Sequence, residues 1–160
     1  MQTINIVCLG RLKEDYLRAA CKEYEKRLGG LCRLTISELD PAPLPQNPSE
    51  KQIEDALRRE GEMIEKKLCK NAVTYAMCIE GKQRTSEQLA AELEKSALSG
   101  KSAVNFIIGS SYGLSPQIKA AADYRLSMSQ MTFPHQLARV MLLEQLYRAY
   151  SINAGSKYHK

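Results

Sequence analysis

Apolar residues in this chain follow two alternating rhythms: short unbroken or period-two runs, and longer stretches in which they return every three or four positions. Residues 3–9 (TINIVCL) are apolar and β-branched up to Gly10, which predicts a buried strand and a turn. Tyr16, Leu17, Ala20, Tyr24 and Leu28 then recur at helical spacing, and Gly29-Gly30 ends a helix over residues 13–28. Over residues 33–39 Leu34 and Ile36 alternate with Thr35 and Ser37, the pattern of a less buried strand. Four prolines between 41 and 48 exclude both helix interior and central strand there, so residues 40–48 are expected as a surface loop. Ser49 with Gln52 matches a capping box and opens a charged helix to about residue 68, with Ile53, Leu57, Ile64 and Leu68 inward.

The same alternation continues. Residues 71–79 (NAVTYAMCI) read as a strand and Glu80-Gly81-Lys82 as a turn, after which Thr85 and Gln88 cap a helix that ends near Ser99-Gly100. Residues 103–108 form a continuous apolar strand of the kind found in parallel sheets, followed by the loop Gly109-Ser110-Ser111-Tyr112-Gly113 and a short helix begun by Ser115-Pro116. Residues 126–150 complete the series with a short strand over 126–129, a loop closed by Phe133-Pro134, and a helix. Val140, Met141, Leu142 and Leu143 are consecutive, and at about 100° per residue they point to every side of that helix. Such a helix must be covered nearly all round; its surplus apolar surface asks for a second partner beyond the chain's own core, and a charge at Leu143 is expected to disrupt that contact. Strand and helix alternate five times, so the fold class is α/β, a mostly parallel sheet flanked by helices, in a single domain over residues 1–160.

Composition narrows the picture only in places. The first ten residues carry no basic leader and no run approaches the roughly 20 apolar residues of a membrane span, so the chain is read as cytoplasmic with no membrane partner. Five cysteines lie without CxxC spacing or histidine companions; reduced core thiols are expected, with no metal site. A net charge of +5 permits an anionic partner without requiring one.

Candidate chemistry gathers at loops that leave the carboxyl ends of strands, where open parallel sheets bind ligands. The Gly109–Gly113 loop offers glycine at both ends, suited to close approach of backbone to a ligand or simply to a turn with positive φ. It is neither GxGxxG nor a phosphate loop, and no nucleophile elbow or Cys-His pair is present. His135 and Arg139 lie four apart at the mouth of the last loop, able to orient a polar substrate or merely to cap the helix. Glu144 and Arg148 read as an ordinary helix-surface pair. The terminal residues 155–160 place Tyr158 among cations, a combination that suits an unpaired base and its phosphate.

IIGSSYGL, LSMSQMTFPHQLARVMLLEQLYRAYSI, the final YHK, and LGRLKEDY and EYEKRLG near the start together resemble the RlmH family of the SPOUT methyltransferases, over essentially the full chain. The resemblance implies S-adenosyl-L-methionine-dependent N3 methylation of a pseudouridine in large-subunit ribosomal RNA, by a homodimer acting on assembled ribosomes. It implies a C-terminal trefoil knot, among the rare threaded connections. Carried over by motif, the cofactor pocket would use Met77, Gly109, Met128, Ser129, Gln130, Met131, Thr132 and Phe133; the catalytic candidates are His135, Arg139, Tyr158, His159 and Lys160. Family members usually show GGxxGL where this chain has Ser110 second, a side chain that bears on clearance for the cofactor. The alternatives are a non-catalytic ribosome- or RNA-binding protein of the same fold, and an enzyme using another nucleotide.

Overall fold

The computed structural model describes residues 1–160. Its elements are β1 (Thr3–Leu9), α1 (Asp15–Leu28), β2 (Arg33–Leu39), α2 (Glu50–Glu65), β3 (Ala72–Lys82), α3 (Ser86–Leu98), β4 (Ala103–Ile108), α4 (Pro116–Ala121), β5 (Tyr124–Leu126) and α5 (His135–Asn153). The strands form one sheet in the order β2-β1-β4-β3-β5, every neighbouring pair parallel. β4 is central and buried along its whole length, in keeping with a run that is apolar apart from Asn105; β2, with its alternating residues, is an edge.

Alternation along the strands sends side chains to two cores. On one face Ile4, Ile6, Cys8, Val104, Phe106 and Ile108 meet Cys21 and Leu28 of α1, Leu89 and Leu93 of α3, and Leu142, Leu143 and Leu146 of α5. On the other, Val7, Leu9 and Ile107 meet Ile64 of α2 and Ile118 of α4. α5 runs between α1 and α3, which explains its poor amphipathicity: sheet and two helices of its own protomer bury Leu142, Leu143, Leu146 and Ala149 completely. The expectation that Leu143 faces a partner is therefore corrected. Leu137, 37% exposed, and the half-buried Val140 and Met141 carry what apolar surface α5 leaves open.

Both expected capping boxes form, with Gln52 N–H donating to Ser49 Oγ at 3.2 Å and Gln88 N–H to Thr85 Oγ1 at 3.1 Å. α2 stops at Glu65, short of the predicted 68, because its exit is captured from the sheet. Asn105, hidden in the apolar β4 run, accepts from Cys69 N–H (2.9 Å) and donates to Cys69 O (3.1 Å), while Asn5 of β1 donates to Lys67 O (2.9 Å) and to Asn105 Oδ1 (2.8 Å). These amides hold residues 67–69 on a non-helical path that ends at Asn71 with φ +50°. Buried amides survive there because every one is paired.

The five cysteines are free thiols; Cys8, Cys21 and Cys32 are buried and Cys78 only half so, and burial pushes the first three up to about 11. No cluster of side chains suits a metal ion, and no helix is long and apolar enough to cross a membrane.

Candidate active site

β3, β4 and β5 release their loops at one edge of the sheet. β3 pairs with β5 through Met77↔Leu126, breaks register, and returns to pair Lys82 with the same Leu126, so residues 78–81 swing outward around the end of β5. The turn expected at 80–82 is thus a bulge within a longer strand. Gly81 makes it possible: a Cβ there would lie 2.7 Å from the Arg125 carbonyl, against backbone that cannot step aside. β5 is shorter and earlier than expected, ending at Leu126 because serines divert the chain; Ser127 Oγ donates to Ser129 O at 2.9 Å, and Met131 N–H donates to Ser129 Oγ at 3.0 Å.

The loop after β4 is closed on itself. Gly113 N–H donates to Ser110 O at 2.8 Å, Gly113 has φ +83°, and a Cβ on Gly109 would press into the Gly113 carbonyl. Gly109 is demanded by its own turn. Ser110 turns its hydroxyl to Glu60 Oε1 of α2 at 2.9 Å, so the side chain that departs from the family pattern is committed to the protein interior. That removes the ground for a pocket weakened by Ser110.

Residues 128–133 are more open. Met128 packs against the first core and Phe133 is half-buried, whereas Gln130, Met131 and Thr132 are exposed. The backbone N–H groups of Met128, Gln130, Thr132 and Phe133 have no partner within the chain. Free amides beside the thioethers of Met128 and Met131 suit a ligand with an adenine ring, a carboxylate and a sulfonium, so residues 128–133 of the predicted set fit S-adenosylmethionine. A cavity of about 390 Å³ adjoins them between Arg84–Leu89 of the α3 start, Leu126–Met128 and Met141–Gln145 of α5. Met128 is the one assigned cofactor residue that lines it.

His135 opens α5 behind Pro134, with its ring against Gly10: a Cβ there would be 3.3 Å from His135 Nε2, and Gly10 has φ +104°. Burial, then the charges of Arg139 and Lys13, hold the His135 imidazole below its usual 6.5, neutral at physiological pH. Arg139, expected to face the substrate, is instead 4% exposed; it donates to Glu38 Oε2 (2.7 Å) and Gly10 O (3.0 Å). Its guanidinium thus ties α5 to the ends of β1 and β2.

The terminal residues fold onto the middle of α5. Tyr158 meets Tyr147 edge-on at 4.7 Å, lies 4.8 Å beneath the Arg148 guanidinium and donates to Glu144 Oε1 at 3.2 Å. His159 Nε2 pairs with Glu87 Oε1 at 2.7 Å, and Lys160 is exposed. The Glu144–Arg148 pair, expected on the surface, is partly buried as the hub of this seat. Glu144 is nine residues along α5 from His135, about 13 Å at helical rise, so within one protomer the structure does not bring the tail to His135.

Three residues escaped the sequence reading: Glu38, Glu60 and Gly10. Glu60 carried a signal, since positions 53, 57, 60 and 64 share a helix face and a carboxylate on that apolar stripe asks for buried partners. Gly10 was visible only as a strand end, and Glu38 not at all.

The family model described as "Predicted SPOUT methyltransferase" matches residues 1–159. The chain is 51% identical to the ribosomal RNA large subunit methyltransferase H of Bifidobacterium adolescentis over 98% of its own length and 99% of the relative's. It is 48% and 45% identical to proteins of that name from Clostridioides difficile and Exiguobacterium sibiricum, at the same coverage. In fold it is similar to a probable methylase family protein from Haemophilus influenzae, with TM-score 0.56 and 13% identity over 98% of this chain and 70% of that one. With the parallel sheet, the strand-end loops and a full-length family match in agreement, the chain belongs to the SPOUT methyltransferases, enzymes that take their methyl group from S-adenosylmethionine.

Proposed function

We propose that residues 1–160 form one catalytic domain that methylates N3 of a pseudouridine in 23S ribosomal RNA, as a homodimer on assembled ribosomes in the cytoplasm. The observation that carries this reading is the set of free backbone donors on the loop after β5, which runs directly into a histidine kept neutral by burial. Relatives named for large-subunit ribosomal RNA methylation, matched along almost their whole length, supply the substrate class. The knot belongs to the same reading, supported by the tight passage of residues 78–82 around β5 at Gly81. A dimer is supported by the apolar surface left at Leu137, Val140 and Met141, so a charge that probes the seam belongs at Leu137.

S-adenosylmethionine, when bound, supplies a methyl carbon activated by its sulfonium. Met77, Gly109 and residues 128–133 would hold it, chiefly through backbone groups, so that its methyl group could be presented to N3. The imide N3 attacks only as its proton leaves; His135, neutral and half-buried, accepts that proton and passes it to solvent. The N3–carbon bond forms as the carbon–sulfur bond breaks. Arg139 is a positioning residue: it holds Gly10, against which the His135 ring packs, by its carbonyl, and its charge disfavours protonation of that ring. Tyr158, His159 and Lys160 supply a stacking ring and positive charge for the base and its developing carbonyl charge. To do so they leave the Glu87 and Glu144 seat or cross to the site of the partner copy.

Methyl transfer from labelled donor to ribosomes, compared with protein-free RNA and followed by mapping of the modified base, tests the proposal. Ribosomes are expected to be labelled at a pseudouridine; preferential labelling of protein-free RNA would count against an assembled substrate. Removing residues 157–160 is expected to spare cofactor binding and lower transfer by about a hundredfold or more; full activity without them rules out the tail. Because His135 sits below 6.5, the rate should hold level as pH falls to that value and decline only beneath it as the ring protonates.

A further inference from the structure

One turn of α2 grips both flanks of the loop that follows β4. Glu60 is 4% exposed, although the charged residues around it on α2, Glu54, Arg58, Arg59 and Glu62, all face solvent. Its Oε1 accepts from Ser110 Oγ at 2.9 Å, where that loop begins. Its Oε2 accepts from Ala42 N–H at 2.9 Å, inside the proline-rich segment. The next residue, Gly61, has no side chain where a Cβ would stand 3.1 Å from Ser115 Oγ and 3.2 Å from Ile118 Cγ1. Ser115 in turn caps α4, accepting from Ile118 N–H at 3.2 Å, where the same loop ends. A buried carboxylate with both oxygens satisfied is costly to assemble and costly to disturb. Here it joins three segments remote in sequence.

We propose that Glu60 is a positioning residue for cofactor binding: through Ser110 it fixes the Gly109–Gly113 loop, and through Ala42 it ties the proline-rich segment to the same anchor. Glu60 does not touch the cofactor. The inference rests on the reading of this loop as a wall of the S-adenosylmethionine pocket. It also accounts for Ser110, whose hydroxyl is the handle by which α2 holds the loop.

The test combines amide hydrogen exchange over residues 109–114 with calorimetric titration of S-adenosylmethionine into the full chain. Glu60→Ala is expected to speed exchange there and raise Kd about tenfold, the scale of a lost charge-assisted hydrogen bond. Ser110→Ala, which removes one bond and leaves Ala42 paired, should raise it about threefold and serves if Glu60→Ala fails to fold. Glu60→Gln should restore both exchange and affinity to within about twofold, since its carbonyl accepts from Ala42 N–H and its amide donates to Ser110 Oγ. Wild-type exchange and Kd in Ser110→Ala would overturn the positioning role, as would failure of Glu60→Gln to rescue. Faster exchange with an unchanged Kd would instead overturn the cofactor reading of the loop, and the inference with it.

Discussion

The loops after β4 and after β5 leave the same edge of the sheet and are built in opposite ways. Residues 109–113 are folded shut, with a hydrogen bond across the turn, glycine forced by its own backbone and a buried carboxylate behind. Residues 128–133 are held by two serine hydroxyls, present Gln130, Met131 and Thr132 to solvent, and keep backbone donors unpaired. The first is a fixed wall whose hydrogen bonds are already spent. The second is open and, on the proposed reading, a cover, with backbone donors left free that a bound methyl donor would use. A methyl transfer needs both, since the reacting atoms must be aligned against something rigid while the donor and its product must still enter and leave.

The sharpest way to break the contrast is Gly109→Ala. The new Cβ would run into the Gly113 backbone, and neither segment can move without opening the turn that Glu60 holds from behind. A loss of about 3 kcal/mol in denaturant unfolding is expected, at the upper end for overpacking, with cofactor affinity reduced in the same variant. A stability change within roughly 0.5 kcal/mol would mean that the wall gives way as easily as the cover.

This asymmetry also marks what the sequence could tell. The alternating runs placed the first four strands and all five helices, while β5 lies two residues earlier than read, and the caps at Ser49 and Thr85 were legible because their chemistry is local. The all-round apolar face of α5 was read correctly as buried, yet Leu143 was assigned to a partner when the chain's own core covers it, because periodicity reports burial and not which neighbour provides it. The Asn5–Asn105 pair lay within apolar runs and was invisible, since its partners at Lys67 and Cys69 come together only through the fold. Spacing at the mouth of the last loop singled out His135 and Arg139, but the commitment of Arg139 to Glu38 and Gly10 depends on a contact spanning more than a hundred residues. Glu60 sat on the right stripe of its helix; its partner at Ser110 is fifty residues away.

Ser129→Ala probes the cover at intermediate strength. It removes the acceptor of Met131 N–H in a solvent-accessible segment, where water replaces the lost bond. Global stability should fall by no more than about 0.5 kcal/mol, while exchange at Met131 quickens and Kd for S-adenosylmethionine rises a few-fold, about threefold on the scale of a neutral hydrogen bond. A loss of stability as large as that of Gly109→Ala would show the two loops to be equally structural.

Met131→Ala should have the smallest effect and makes the finest distinction. The side chain is 74% exposed, so its removal is expected to leave stability unchanged within roughly 0.5 kcal/mol. If backbone amides hold the donor, as their freedom at Met128, Gln130, Thr132 and Phe133 suggests, cofactor affinity should also stay within about threefold of wild type, a change of less than about 0.7 kcal/mol. A tenfold loss by calorimetry would mean that the exposed thioether folds over the ligand and that the cover grips with side chains, making it a lid in its own right and not merely a row of amides.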